Sequence, residues 1–229
     1  MNEVARNPLR PGKPVGFCVL RVPFFLEPDY PTDEKFEETN RTRLIRKWGG
    51  PAEWERQKAR HGLKERGREV GIEHFNLDRI ASSTLASHRL VQWMTKTHGI
   101  AASEALYANL NFRHFEKGEK LNSSRLLVEA AAKAGADPAE AEAFLASDKG
   151  VAEIRKAQQI LAGMGVHSIP TFVLGGKRVV SGAAHSNEIM RHLRALEEQG
   201  DADSSVFADA LGIPPQVLEQ TLPLKAATA

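Results

Sequence analysis

Residues 165–196 constrain this chain more than any other stretch. Residues 170–174 (PTFVL) and 177–181 (KRVVS) are short β runs joined by Gly175-Gly176. That pair suits a type I′ hairpin turn, which needs positive φ at both central positions. A helix signal follows at once, with Ser186 as cap, Ile189, Leu193 and Leu196 as an apolar stripe, and Gly200 as stop. The other strand signal is far away, at residues 16–26 (GFCVLRVPFFL), an apolar run whose Pro23 marks a bulge or an end. Two isolated β segments cannot stand alone, so the expected architecture is one sheet interrupted by a helical block. The fold class is α/β, mostly helical.

Between the β segments the signals are helical. Residues 27–32 (EPDYPT) are turn chemistry, after which Asp33 is expected to cap a helix to Trp48 stopped by Gly49-Gly50. Pro51 opens a helix to about Val70. Ser82 or Ser83 caps residues 84–97, with Gly99 closing that helix, and residues 103–116 follow. Ser123 opens an Ala-rich helix ending at Gly135, Asp137-Pro138 a short one to Ala146, and Asp148 a last one ended by Gly165. The expected domains are residues 16–31 with 165–200, a helical insert over 32–164, and a helical extension over 201–229 broken by Pro214-Pro215.

Bulk properties exclude several function classes. A formal net charge of +2 gives no reason to expect nucleic acid. No apolar run approaches the ~20 residues that span a bilayer. Residues 1–14 contain charges and three prolines but no apolar h-region, so no secretory signal is read there. The expected setting is cytoplasmic, with mitochondrial import the weaker alternative. The chain has one cysteine, Cys18, which alone can form neither an intrachain disulfide nor a Cys-x-x-Cys redox pair.

Four ordered segments resemble the DsbA family, most closely its FrnE-type branch. Residues 165–193 (GVHSIP, then TFVLGGKRVVSGAAHSNEIMRHL) are similar to its cis-proline hairpin and closing helix. Residues 23–31 (PFFLEPDYP) are similar to its Pro-Phe-x-Leu-Asn-Pro stretch, with Glu27 in place of Asn. Residues 84–93 (TLASHRLVQW) are similar to its His-Arg-Leu helix, with Ser83 in place of Asn. Residues 144–150 (FLASDKG) are similar to its Phe-Leu-x-Ser-x-x-Gly segment. The resemblance implies an incomplete thioredoxin-like fold with a large helical insertion. The family's first strand, its Cys-Pro-x-Cys and the helix they open have no counterpart in these residues. By resemblance the chain is a thiol–disulfide oxidoreductase of the protein-disulfide type, expected to be redox-inactive as written, whether truncated or degenerate.

The resemblance also implies a site. A cis bond at Pro170 would turn the backbone of Ile169 outward, and Ser168, Ile169, Pro170 and Thr171 would hold an extended peptide or glutathione by strand addition. The residues alone also allow a trans-proline opening an edge strand. No catalytic residue is assigned, no metal site, and no cofactor, glutathione entering only as a substrate. The partners expected are a small-molecule thiol or an extended peptide, with no nucleic acid and no membrane. A homodimer that completes its sheet through residues 16–26 is a further expectation. Two alternatives stay open: a kappa-type glutathione transferase or isomerase, which shares the inserted-helix architecture, and a non-enzymatic peptide-binding or assembly protein.

The remaining chemistry-bearing residues read as structural. Cys18 sits among Phe17, Val19 and Leu20 and is taken as a small buried hydrophobe. No His pair has HExxH spacing, and His185 and His192 on one helix would be about 10 Å apart, too far for one ion. His88 is taken as a hydrogen-bonded structural histidine. Residues 41–69 hold ten Lys or Arg against four Asp or Glu. That density could attract an acidic peptide, glutathione or phosphate groups, but it equally describes the solvated face of two helices.

Overall fold

The computed structural model describes residues 1–200 and 205–222; the parts of the expected C-terminal extension at 201–204 and 223–229 lie outside the described residues. In chain order the elements are α1 (Asn2–Arg6), β1 (Glu38–Thr39), α2 (Asn40–Trp48), α3 (Pro51–His61), α4 (Leu63–Glu69), β2 (Ile80–Ala81), α5 (Leu85–Phe115), α6 (Ser124–Lys133), α7 (Pro138–Leu145), α8 (Val151–Gly163), β3 (Thr171–Leu174), β4 (Arg178–Ser181), α9 (Ser186–Gln199), α10 (Ser205–Leu211) and α11 (Pro215–Leu218). They divide into two compact units. One comprises Met1–Leu26, Thr95–Ala101 and the described part of Gly150–Ala229; the other comprises Glu27–Met94 and Ala102–Lys149.

The second unit is all but helical. Its core joins Leu90, Val91, Met94, Leu106 and Leu110 of α5 to Leu126, Leu127, Ala130 and Ala131 of α6. The small alanines of α6 let helices approach closely, and burial of the leucines stabilises the packing by about 2 kcal/mol each. Gly99 (φ 85, ψ −180) parts α5 into two halves, and Ser103 Oγ in one donates to the Val91 carbonyl in the other at 3.4 Å. The expected pair of helices meeting at Gly99 is therefore present.

Other helix ends correct the sequence reading. Asp33 does not cap a helix. Its carboxylate accepts the Lys35 amide at 2.8 Å in a local turn, and the amide of Asn122 donates to the carbonyls of Asp33 and Phe36, both at 3.0 Å. The helix starts instead at Thr39, whose Oγ1 accepts the Thr42 amide at 3.1 Å, because residues 38–39 are held extended by pairing with Ile80 and Ala81. The single helix expected from Pro51 to Val70 is two, broken at Gly62 in the left-handed region (φ 51, ψ 40). The caps at Ser123 and Asp137 are as expected, the latter accepting the amides of Ala139 and Glu140. The cap of α8 is Gly150 rather than Asp148.

In the first unit β3 and β4 form the expected hairpin, with Thr171 opposite Ser181 and Leu174 opposite Arg178. Gly175 and Gly176 have φ of 58° and 74°, as its turn requires. Residues 16–26 do not form the expected strand: among the described residues this sheet has only β3 and β4. Alternate residues of the segment, Cys18, Leu20, Val22 and Phe24, still pack on the core while Arg21 between them is exposed, a pattern that ends at buried Pro23 and exposed Leu26. Its apolar period is satisfied by packing, with no neighbouring strand to supply a ladder. That core is built with Ile100, Ala157, Leu161 and Val166 and, from the expected extension, Phe207, Ala208, Ala210, Leu211, Ile213 and Val217. The described part of the extension is thus core material, because its apolar residues cover the surface that α8 and residues 16–26 present. Helix α9 has no buried residue and is held in part by the segment after α1, where the Leu9 amide donates to the Glu197 carboxylate at 2.5 Å and Arg10 to the Glu198 carbonyl at 3.1 Å.

Candidate functional site

The loop before β3 gathers the four residues singled out in the sequence. Val166 is buried in the core of the first unit and anchors the start of the loop. The Ile169–Pro170 peptide bond is cis. Thr171 Oγ1 donates to the Ser168 carbonyl at 2.7 Å, closing the loop on itself. The Gly182 amide donates to the Pro170 carbonyl at 2.8 Å, tying it to the end of β4. Ser168, Ile169 and Pro170 are exposed and Thr171 is half-buried.

Ile169 differs from its neighbours. Its side chain is 49% exposed, and neither its amide nor its carbonyl takes part in a hydrogen bond among the described residues. Two hairpin residues are exposed as well, on opposite faces: Phe172 of β3 is 41% exposed, and Val179 of β4, across the ladder from Val173, is 39% exposed. A large aliphatic or aromatic side chain beside an unpaired backbone is a template for an added strand. Sequence reasoning missed Phe172 and Val179, although the period-two pattern places alternate residues of each run on opposite faces of the hairpin.

Cys18 lies off this loop, in residues 16–26. It is a half-buried free thiol, and burial pushes its pKa up, which keeps it in the unreactive thiol form. His88 is half-buried on α5, His185 precedes α9, and His192 is half-buried on it. Among the described residues no group of His, Cys, Asp and Glu is arranged to hold a metal ion, and no helix is long and apolar enough to cross a membrane.

Two segments of the second unit that look unrelated in sequence meet through Arg89. From α5 its guanidinium donates to the Lys149 carbonyl at 2.7 Å and the Phe144 carbonyl at 3.3 Å, and also to the Ser147 carbonyl. It lies 5.1 Å from the centroid of the Phe144 ring, which stacks on Trp93 at 5.4 Å. Arg89 thereby caps the carbonyl end of α7 with one planar fork. Residues 84–93 and 144–150 are one structural feature.

The model of the DSBA-like thioredoxin domain matches residues 33–194, which takes in both of these segments and the hairpin. The chain belongs to the DSBA-like thioredoxin domain family. The family is one of thiol–disulfide oxidoreductases, and its fold accounts for a β-hairpin set after a long helical block. A probable DsbA oxidoreductase from Streptomyces coelicolor is similar in structure, with a TM-score of 0.59 and 25% identity over 90% of this chain and 77% of the other. No curated protein matches the chain.

Proposed function

We propose that this DsbA-type chain, of the FrnE-type branch, uses the loop at Ser168, Ile169, Pro170 and Thr171 to hold an extended peptide or glutathione. The observation that carries this reading is Ile169, an exposed aliphatic residue whose own amide and carbonyl are unpaired at the start of a strand. A peptide laid antiparallel or parallel to residues 168–170 would satisfy those groups and cover the Ile169 and Phe172 side chains. Pro170 offers no amide, so Ile169 is the residue left to pair.

Binding of this kind does not need a thiol, whereas disulfide exchange does. Dithiol cycling takes two cysteines, one to attack and one to resolve the mixed disulfide. The 229-residue chain carries one cysteine, and that one is held as a thiol by burial. The chain by itself is therefore expected to bind without turnover. Amide chemical shifts test the binding half: titration with glutathione or an extended model peptide should move the resonances of residues 168–173 and leave those of α6 in place. Shifts confined to α6, or none at millimolar ligand, would remove the loop from the account.

A further inference from the structure

The cationic stretch noted at residues 41–69 folds around a pocket of the helical unit rather than along a featureless face. A cavity of about 380 Å³ opens where α2, α3 and α4 meet residues 73–78, with Arg41, Lys58, Lys64 and Arg68 among its lining side chains. Three carboxylates, Glu73, Asp78 and Glu116, share the lining. They offset part of its charge, leaving four cations against three carboxylates in the lining, but the ion pairs that hold the cations are long. Asp78 reaches Arg41 only at 3.7 Å, with both side chains more than half exposed, and the nearest carboxylate to Lys58 is Glu55 at 3.9 Å. Exposed pairs at such distances contribute little. Lys64 and Arg68 have no carboxylate partner among the described residues.

Behind the pocket wall lies a fifth positive charge. Phe75 and Asn76 line the cavity. The guanidinium of Arg79 sits 5.6 Å from the Phe75 ring centroid and donates to the Asn76 carbonyl at 3.2 Å. It is also bonded to the His114 ring at 3.2 Å, and no carboxylate pairs with it among the described residues. Burial, with Arg43 adding to it, lowers its pKa to about 10, so it keeps its charge at neutral pH. Helix α3 also contributes a donor without a partner. Trp54 is 4% exposed and lines the same cavity, and its indole Nε1 is buried without an acceptor. A buried donor left unpaired costs about 1–3 kcal/mol; the nitrogen is shielded from solvent, so a bound anion recovers that cost only where the indole turns toward the cavity.

We propose that this pocket binds a small organic polyanion, bearing phosphate or carboxylate groups, between the rim cations Arg41, Lys58, Lys64 and Arg68. The site lies in the helical unit, far along the sequence from the cis-proline loop, and the inference does not rest on the proposed function. Pyrophosphate and citrate represent the two sources of negative charge. Calorimetric titration of the full chain at low salt should show saturable binding of at least one, weakening as salt is raised. Preference for pyrophosphate assigns a phosphate ester, and preference for citrate a polycarboxylate.

The double substitution Lys64→Glu with Arg68→Glu is at exposed positions and should reduce that affinity by about tenfold or more, since two attractions become repulsions. The pair Lys133→Glu with Lys156→Glu changes the net charge equally at residues outside the pocket lining and should leave it within about twofold. Thermal unfolding of each variant separates lost binding from lost fold. No saturable binding of either anion, or equal losses in the two double variants, would overturn the proposal.

Discussion

At the scale of single residues, two positions have environments that only one side chain satisfies. Gly99 has a backbone conformation reserved to glycine, and a Cβ built there would lie 2.3 Å from Gln220 Oε1. That oxygen is already engaged, accepting the Ile100 amide at 2.9 Å and so capping the helix as it restarts. Gly99→Ala should cost on the order of 2–3 kcal/mol, read as a lower midpoint in urea, because strain and a lost cap add. His114 is the second case. Its Nε2 accepts from Arg79 Nε–H at 3.2 Å, so the proton is on Nδ1, which donates to the Glu119 carbonyl at 3.0 Å. Protonating Nε2 would set two donors face to face. Burial first, and then Arg79 and Arg43, depress the pKa to about 4. The unfolded chain binds this proton from the ordinary histidine range downward, while the folded chain resists it to about 4. Stability should thus fall as pH drops from about 6.5 to 4, by on the order of 2 kcal/mol from this residue. Unfolding curves across that range, compared with His114→Gln, measure the contribution; an unchanged slope in the variant would show that other groups supply it.

At the scale of elements, Arg89 explains why helices α5 and α7 stay joined. Its five donors are the only side-chain type that can reach several carbonyls at a helix end in one plane. Arg89→Ala should destabilise the helical unit by on the order of 2 kcal/mol, because the partly buried carbonyls of Ser147 and Lys149 lose a donor and the Phe144 ring its cation. Arg89→Lys should recover less than half, since an ammonium cannot fork. Circular dichroism melts of the two variants decide it. The hairpin was readable in advance because glycine pairs and period-two runs act locally. The short ladder between β1 and β2 was not, since two residues on each side carry no period. Asp33 misled for a related reason: its capping chemistry is local, but Asn122 from far along the chain holds the turn there.

At the scale of the molecule, local signals account for helix content and for the candidate loop, while the distribution of core residues depended on long-range packing. Residues 16–26 have a strand's composition, yet composition cannot say whether a neighbouring strand exists to pair with. Residues 201–229 read as an appendage because Pro214-Pro215 interrupts them, but Leu211 is fully buried. Leu211→Ala should cost about 2–5 kcal/mol, as much as Leu127→Ala in the other unit, whose leucine is buried to the same degree. A dispensable extension would show almost no effect at Leu211. The pocket of the helical unit was visible in sequence only as charge density, since nothing local reveals that α2, α3 and α4 turn their cations toward one cavity.

Across these scales, a DsbA-type scaffold carries an exposed cis-proline loop at Pro170, proposed above to hold peptide, and this chain has one cysteine and so no dithiol to use with it. Reduction of insulin disulfides by the purified 229-residue chain with dithiothreitol tests it most directly. The expected rate is indistinguishable from that of dithiothreitol alone and unchanged in Cys18→Ser. Clear turnover above that background, abolished by Cys18→Ser, would overturn this reading and make the half-buried thiol a catalyst.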